Sequence, residues 1–418
     1  MQGKTPLTAG GAALLMIAGL SMAAPLPAAS QYQPLYTFTG GNDGAVSWAG
    51  LTFDKAGNLY GTTIAGGAYG YGTVFQLAPA ANGAWTETVL HSFPAPGTDG
   101  NQPEAGVIFD AAGNLYGTTY FGGAYGAGTV FKLAPGAGGA WSETVLYAFN
   151  GTNEGRPSAA LIIDAAGNLY GTAYGVPYHC GTVFKLAPGA NGQWTETVLH
   201  DFGAIRDAPN RGCQPSAGLV FDAAGNLYGT TSTGGAHIYF GTVFKLAPGA
   251  NGQWTHTVLH SFSSQNGDGG YPYDTPTLDA AGNLYGTTYS GGMNGAGTVF
   301  KLTPGASGTW AETVLHSFSG GRDGADPYGG LTFDAAGNLY GTTNFGGTHY
   351  GVVFKLTPGA NGKWAETVLH RFDQSDGWAP DGNVIVDAAG DVYGTTLNGG
   401  DFNQACPSGC GVVFKITQ

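Results

Sequence analysis

The chain has 418 residues, a formal net charge of −13 and only 10% charged side chains, which makes nucleic acid and anionic membrane surfaces poor partners. Its 76 glycines accompany 12% aromatic residues, a balance of turn-rich globular β-structure rather than of a disordered linker.

Residues 1–29 read as a secretory signal peptide. Lys4 precedes an apolar run from Ala9 to Leu20, and small residues offer cleavage after Ala24 or Ala29. No later apolar run is long enough to span a bilayer, so residues 30–418 are expected as an exported, monomeric domain, secreted or held in the periplasm or at the cell surface.

Within that domain one stretch recurs. Asp-Ala-Ala-Gly-Asn-Leu-Tyr-Gly-Thr-Thr, as written at Asp222–Thr231, returns in near-identical form with its Asp at Asp54, Asp110, Asp164, Asp222, Asp279, Asp334 and Asp387, seven copies spaced by 53 to 58 residues. A unit of this length cannot bury its own core and must stack on its neighbours, so the repeats form one domain. Asp opens a turn, Gly supplies the positive φ that closes it, and Leu-Tyr starts a strand, which makes the stretch the tip of a β-hairpin.

The fourth repeat shows the rest of the unit. A first strand is expected over Ala217–Phe221 and a second over Leu227–Thr231. A Gly-rich loop leads to a third over Gly241–Leu246, and after a cluster of turn residues comes a fourth over Trp254–Phe262. Four antiparallel strands repeated seven times predict an all-β fold, a seven-bladed β-propeller. Pro34–Phe38 aligns with the fourth-strand pattern Val-Leu-His-Ser-Phe, and the sequence ends on a third strand, Gly411–Ile416. The N-terminal strand is therefore expected to complete the last blade and close the ring. Lys132, Lys185, Lys301 and Lys355 are expected directly opposite Glu143, Glu196, Glu312 and Glu366, keeping charge on the outer strands. The even cysteine count in an exported chain suggests disulfides, Cys180 with Cys213 and Cys406 with Cys410; the spacings lack a zinc-ribbon pattern.

The Asp-x-x-Gly-Asn-Leu-Tyr hairpin after a Pro-started strand resembles NHL-type and virginiamycin-lyase-type propellers. Gly-Asn-Leu-Tyr-Gly-Thr-Thr, then Gly-Gly, Gly-Thr-Val-Phe-Lys-Leu and Val-Leu-His-Ser-Phe, more specifically resembles the GloVer tandem repeat of exported bacterial proteins, across essentially the whole chain after the leader. That resemblance implies an extracytoplasmic repeat protein and carries no established activity. No catalytic set of the lyase-like propellers can be matched residue by residue.

Residues present in every copy serve the fold first. The Asp54 set is expected to cap its turns, with calcium binding as the alternative; no other cofactor or metal is expected. His91, His200, His260, His316 and His370 end fourth strands, with Tyr36 and Tyr147 in the same place elsewhere, and are expected to satisfy buried backbone groups. The serines show no nucleophile elbow, so triad chemistry is not expected.

Positions that vary between copies are better candidates. The loops entering first strands carry Asp-Gly at Asp43, Asp99, Asp268, Asp323 and Asp376, read as turns, with sugar hydroxyls as the alternative partner. Loops between second and third strands carry Tyr69, Tyr120, Phe121, Tyr125, Tyr174, Tyr239 and Tyr350, on what should be the same face. Pro103, Pro157, Pro215, Pro272, Pro327 and Pro380 each stand seven residues before a hairpin Asp, and the next residue should look toward the channel mouth. Around the ring that position reads Trp48, Glu104, Ser158, Ser216, Tyr273, Tyr328 and Asp381. Trp48, Tyr273, Tyr328, Asp381 and Glu104 are the expected ligand-binding set, since rings stack on aromatics while carboxylates take hydroxyl hydrogen bonds. The function expected is a binding or surface-interaction module for carbohydrate or another neutral polymer. One alternative is a lyase or hydrolase of polysaccharide or lactone with Asp381 and Glu104 as acid and base; another is a purely structural envelope protein.

Overall fold

The computed structural model describes residues 1–3, 30–81, 83–95, 97–152, 155–205 and 211–418. All but the first three residues of the expected signal peptide lie outside the described residues.

The hairpin Asp builds its turn as its chemistry suggests. Asp222 Oδ1 accepts from the backbone of Ala224 and Asn226 at 2.9 Å each, while Oδ2 accepts from the Asn226 amide at 2.6 Å and the Tyr228 hydroxyl at 3.1 Å. Four donors on one carboxylate fix both the turn and the first two residues of the strand that follows. From there the chain runs as four hydrogen-bonded antiparallel strands in sequence order, here Val220–Phe221, Leu227–Thr231, Thr242–Pro248 and Trp254–Ser261. The first strand is shorter than the sequence suggests. Only Val220 and Phe221 enter its ladder.

Seven such blades form the propeller. The last is Ile385–Val386, Val392–Thr396 and Val412–Thr417, and its outer strand is Gln31–Thr37, with Gln31 opposite Thr417 and Thr37 opposite Val412. The expected closure is present, and the closing strand starts three residues earlier than Pro34.

A phenylalanine pair recurs at every junction between blades. The Phe that ends a fourth strand packs edge-on against the third-strand Phe of the next blade: Phe262 on Phe300 at 5.1 Å and Phe318 on Phe354 at 5.2 Å, and Phe38 on Phe75 at 5.2 Å across the closure. All six are fully buried. Burial of one such ring contributes roughly 1.5–3 kcal/mol, so the seven junctions carry much of the fold's stability. The facing position must be glycine: a Cβ on Gly229 would stand 2.7 Å from Phe244 Cζ. Nearer the axis, the second-strand Thr of each blade donates to a first-strand carbonyl of the next. Thr62 reaches Ala105 at 3.0 Å, Thr287 reaches Gly329 at 3.0 Å, and Thr395 reaches Ala49 at 2.9 Å to complete the circle.

Two further expectations need correction. Lys132 stands opposite Thr144, and Glu143 opposite Leu133, so the expected Lys–Glu pairs point to opposite faces of the sheet. The cause is the turn, which closes on Pro135 and Trp141 with an odd number of residues between them, and so moves the register by one. Each of these lysines instead lies over the second-strand Tyr ring, as Lys301 does over Tyr285 at 5.4 Å. The fourth-strand histidines do not serve backbone groups. His91, His260, His316 and His370 meet the carboxylates of Asp99, Asp268, Asp323 and Asp376 at 3.2, 3.4, 3.5 and 2.8 Å. Those Asp-Gly acids are thereby tied into their own loops, the turn role rather than a sugar-binding one, and Tyr36 makes the same contact to Asp43 at 3.0 Å. Among the described residues His200 has no such partner, and it stacks flat on His256 at 4.1 Å.

The two disulfides are Cys180–Cys213 and Cys406–Cys410, the pairing expected from the sequence. The first ties a second-to-third strand loop of blade three to the entry of blade four. Among the described residues no helix is long and apolar enough to cross a membrane.

Candidate functional site

The entry to the first strand is held by a residue in an unusual conformation in six of the seven blades; in blade three Arg156 instead pairs with Tyr174. Gln102, Gln214, Tyr271, Asp326 and Ala379, each before a proline, and Val46 before Ser47, all have φ between 54° and 62°. The N–H of Gln102 donates to Tyr71 of the previous blade at 2.9 Å, and its carbonyl accepts from Tyr120 of its own blade at 3.1 Å. The other five make the same two bonds. Non-glycine residues persist at positive φ only where the surroundings hold them there. This clamp, repeated around the ring, fixes the direction of the side chain two residues on.

Those side chains converge. Trp48, Glu104, Ser158, Ser216, Tyr273, Tyr328 and Asp381 all line one axial cavity of about 830 Å³. Its aromatic wall is continuous. Tyr273 stacks on Tyr328 with centroids 4.7 Å apart, and Tyr328 reaches Trp48 at 6.2 Å, spanning the seventh blade between them. Because the two tyrosines cover one face of each other, the wall offers edges and outer faces rather than three free rings. The serine side of the cavity is not bare. Tyr120 and Tyr174 line the cavity as well, and Tyr289 packs edge-on against Tyr273 at 5.7 Å.

Three carboxyls face this cavity. Asp381 is only 7% exposed, accepts a hydrogen bond from the Asn344 amide, and is pushed by burial up to about 7. Glu104 is also raised by burial to about 7, against the opposing pull of Arg156, whose guanidinium lies over Phe121 at 4.7 Å. Asp274 is the third, raised to about 7 by burial, although the Thr275 backbone donates to it at 2.6 Å. Near neutrality each of these groups divides its time between donor and acceptor.

Asp274, Asn344, Asn383 and Tyr289 are the residues that sequence reasoning missed. Asp274 stands in a column otherwise read as Ala49, Ala105, Ala159, Ala217, Gly329 and Gly382, and a lone acid among small residues was the available signal. Room for it comes from Gly330, where a Cβ would sit 2.0 Å from Asp274 Oδ2. The Gly330 N–H donates to Asn383 at 2.7 Å, which places Asn383 beside the same acid.

No curated protein sequence matches this chain significantly. Solved structures similar to it include a gluconolactonase from Xanthomonas campestris, 15% identical over 74% of this chain and 85% of that one, with a TM-score of 0.41. A luciferin-regenerating enzyme is 13% identical over 93% and 95%, with a TM-score of 0.44. A putative oxidoreductase of the glucose dehydrogenase kind, from Thermus thermophilus, is 16% identical over 93% and 99%, with a TM-score of 0.41. At these values nothing about chemistry follows for this chain. The family comparison is of another order: the Gloeobacter/Verrucomicrobia repeat matches residues 25–212 and 175–406, nearly the whole of the described propeller. The chain belongs to the Gloeobacter/Verrucomicrobia repeat family.

Proposed function

We propose that this propeller is an exported carbohydrate-binding module whose site is the axial cavity. The observation that carries the reading is the joined aromatic wall of Tyr273, Tyr328 and Trp48 in the same cavity as Asp381, Glu104 and Asp274. Apolar sugar faces pack on rings, and half-protonated carboxyls both donate to and accept from hydroxyls. The surrounding loops favour a polymer over a free monosaccharide. Tyr69, Tyr125, Tyr178, Tyr239, Met293 and Phe402 stand exposed on six different blades, a crown of contact points around the cavity. Two disulfides suit an oxidising compartment.

The test is a glycan array with the purified chain, followed by the double variant Trp48→Ala/Tyr328→Ala. Binding to at least one glycan is expected, weakened by roughly one to two orders of magnitude in the variant. An array without binding, or equal binding by a variant that still melts cooperatively, overturns the reading.

A second reading rests on the elevated carboxyls, since an acid catalyst needs a proton near neutral pH. In it Asp381 and Glu104 serve as acid and base on a polysaccharide or lactone. Turnover of a bound ligand that disappears in Asp381→Asn, with binding retained, would favour it over simple binding.

A further inference from the structure

The junction between blades four and five holds three ligand-type side chains that the axial cavity does not use. His260 ends the fourth strand of blade four, Asp268 lies in the loop that follows, and Glu312 comes from the fourth strand of blade five, Trp310–Ser317. His260 Nε2 is 3.4 Å from Asp268 Oδ1 and 4.0 Å from Glu312 Oε2, and one ligand atom from each residue lies within 4.8 Å of the others. We propose that His260, Asp268 and Glu312 form a binding site for one divalent transition-metal ion of the Zn²⁺ type.

Ligand chemistry and orientation support it. One imidazole and two carboxylates are a donor set that zinc accepts, with water completing a tetrahedron. Bonds of about 2.0–2.2 Å put tetrahedral ligand atoms roughly 3.3–3.6 Å apart. The His–Asp separation already falls there, and Glu312 needs only a small inward movement. Both ends of the set are held from behind. Asp268 Oδ2 accepts from the Ser263 N–H and hydroxyl at 2.7 Å each, leaving Oδ1 to face the histidine. The His260 ring packs edge-on against Phe262 at 4.6 Å, which fixes its plane.

Glu312 Oε1, like the equivalent atoms of Glu87, Glu143 and Glu366, is shut off from solvent without a hydrogen-bond partner among the described residues, and here a second carboxylate and an imidazole converge on it. A half-buried carboxylate beside a second carboxylate is costly unless a proton or a cation neutralises the pair. A cation between them removes that cost and adds the histidine.

The other junctions show what sets this one apart. His91, Asp99 and Glu143, and His316, Asp323 and Glu366, repeat the residue types, yet among the described residues only the His260 set brings three ligand atoms within 4.8 Å. At the ring closure Tyr32 stacks on His370 at 4.1 Å where the others have an acid, and at the junction of blades three and four His256 takes the acid's place against His200.

Calorimetric titration of the untagged, chelator-treated chain with ZnCl₂ at pH 7 tests the proposal. Saturable binding of one equivalent is expected, weakened at least tenfold by Glu312→Gln and by His260→Gln, and unchanged in His256→Gln. Asp268→Asn is a third route to the same loss should either first variant fail to fold. Absence of saturable binding at micromolar zinc leaves a shared proton as the occupant and overturns the proposal. Binding that survives in His260→Gln/Glu312→Gln overturns it as well.

Discussion

His200 and His256 show how one substitution in a repeat changes its physics. Where the junction after His260 places a glutamate beside the strand-end histidine, this one has two imidazoles stacked 3° from parallel. The Nε2 atoms of both are buried without a hydrogen-bond partner among the described residues, and Arg211 adds a further positive charge nearby. Burial first, then Arg211, lowers His200 to about 4; burial, then His200 and Arg211, lowers His256 to about 3. The folded values lie below the unfolded one, so the unfolded chain binds more protons in the window between them. The stabilisation is complete above about pH 6.5 and is lost progressively as pH falls toward the folded values. We expect His256→Gln to lose less stability than the parent between pH 7.5 and pH 5, by on the order of 1–2 kcal/mol. Urea unfolding of both chains at the two pH values measures it, and parallel loss would show that the stacked pair does not sense pH. The carboxyls of the cavity run the other way. Asp381 and Glu104 are raised in the folded state, so their contribution is present below the unfolded carboxyl range and is lost as pH rises through about 7. Asp381→Asn removes one such contribution, and its melting temperature should depend less on pH between 5 and 8 than the parent's.

At the level of strands, the hairpin and the closing strand were legible because self-similarity repeats the same evidence seven times. Any error in reading one copy is checked by six others. Where copies share a feature that sequence does not encode directly, repetition gives no help: the odd-length turns after Pro135, Pro188, Pro304 and Pro358 displaced the Lys–Glu register in all four blades expected to carry the pair. The cavity divides along the same line. Trp48, Tyr273, Tyr328 and Asp381 could be found because one column of the repeat varies. Asn344 and Tyr289 follow the second strand, and their approach to that column depends on the clamp before each first strand, which has no sequence signature beyond the proline. Phe38 is the residue through which the terminal strand joins blade one, fully buried and edge-on to Phe75. Phe38→Ala should cost about 3–5 kcal/mol, as for other buried aromatic truncations. Chemical denaturation measures this directly; a loss below about 1 kcal/mol would mean that the junction collapses around the gap and that closure does not depend on the ring.

For the whole molecule, closure makes stability collective. Each blade is held on both sides by a phenylalanine pair and a threonine hydrogen bond, and no blade stands at the end of a row. Calorimetric melting should therefore give one transition for the parent, and Phe38→Ala should lower that transition as a unit instead of adding a second, earlier one. A separate early transition in the variant would mean that the blades melt independently.

The strand Gln31–Thr37 has a further consequence when the order of synthesis is considered. It precedes every other strand of the propeller in the sequence, yet its hydrogen-bonding partner, Val412–Thr417, follows all of them. The disulfide Cys406–Cys410 stands against the same seam, its sulfurs 2.6 and 2.9 Å from where a Gly40 side chain would begin. Blades one to six contain all their own strands and can form as the chain emerges. The seventh must wait, with its oldest segment unpaired, until the newest arrives. The ring can therefore shut only once the third strand of the seventh blade has been made, and the strand made early is the last to be paired.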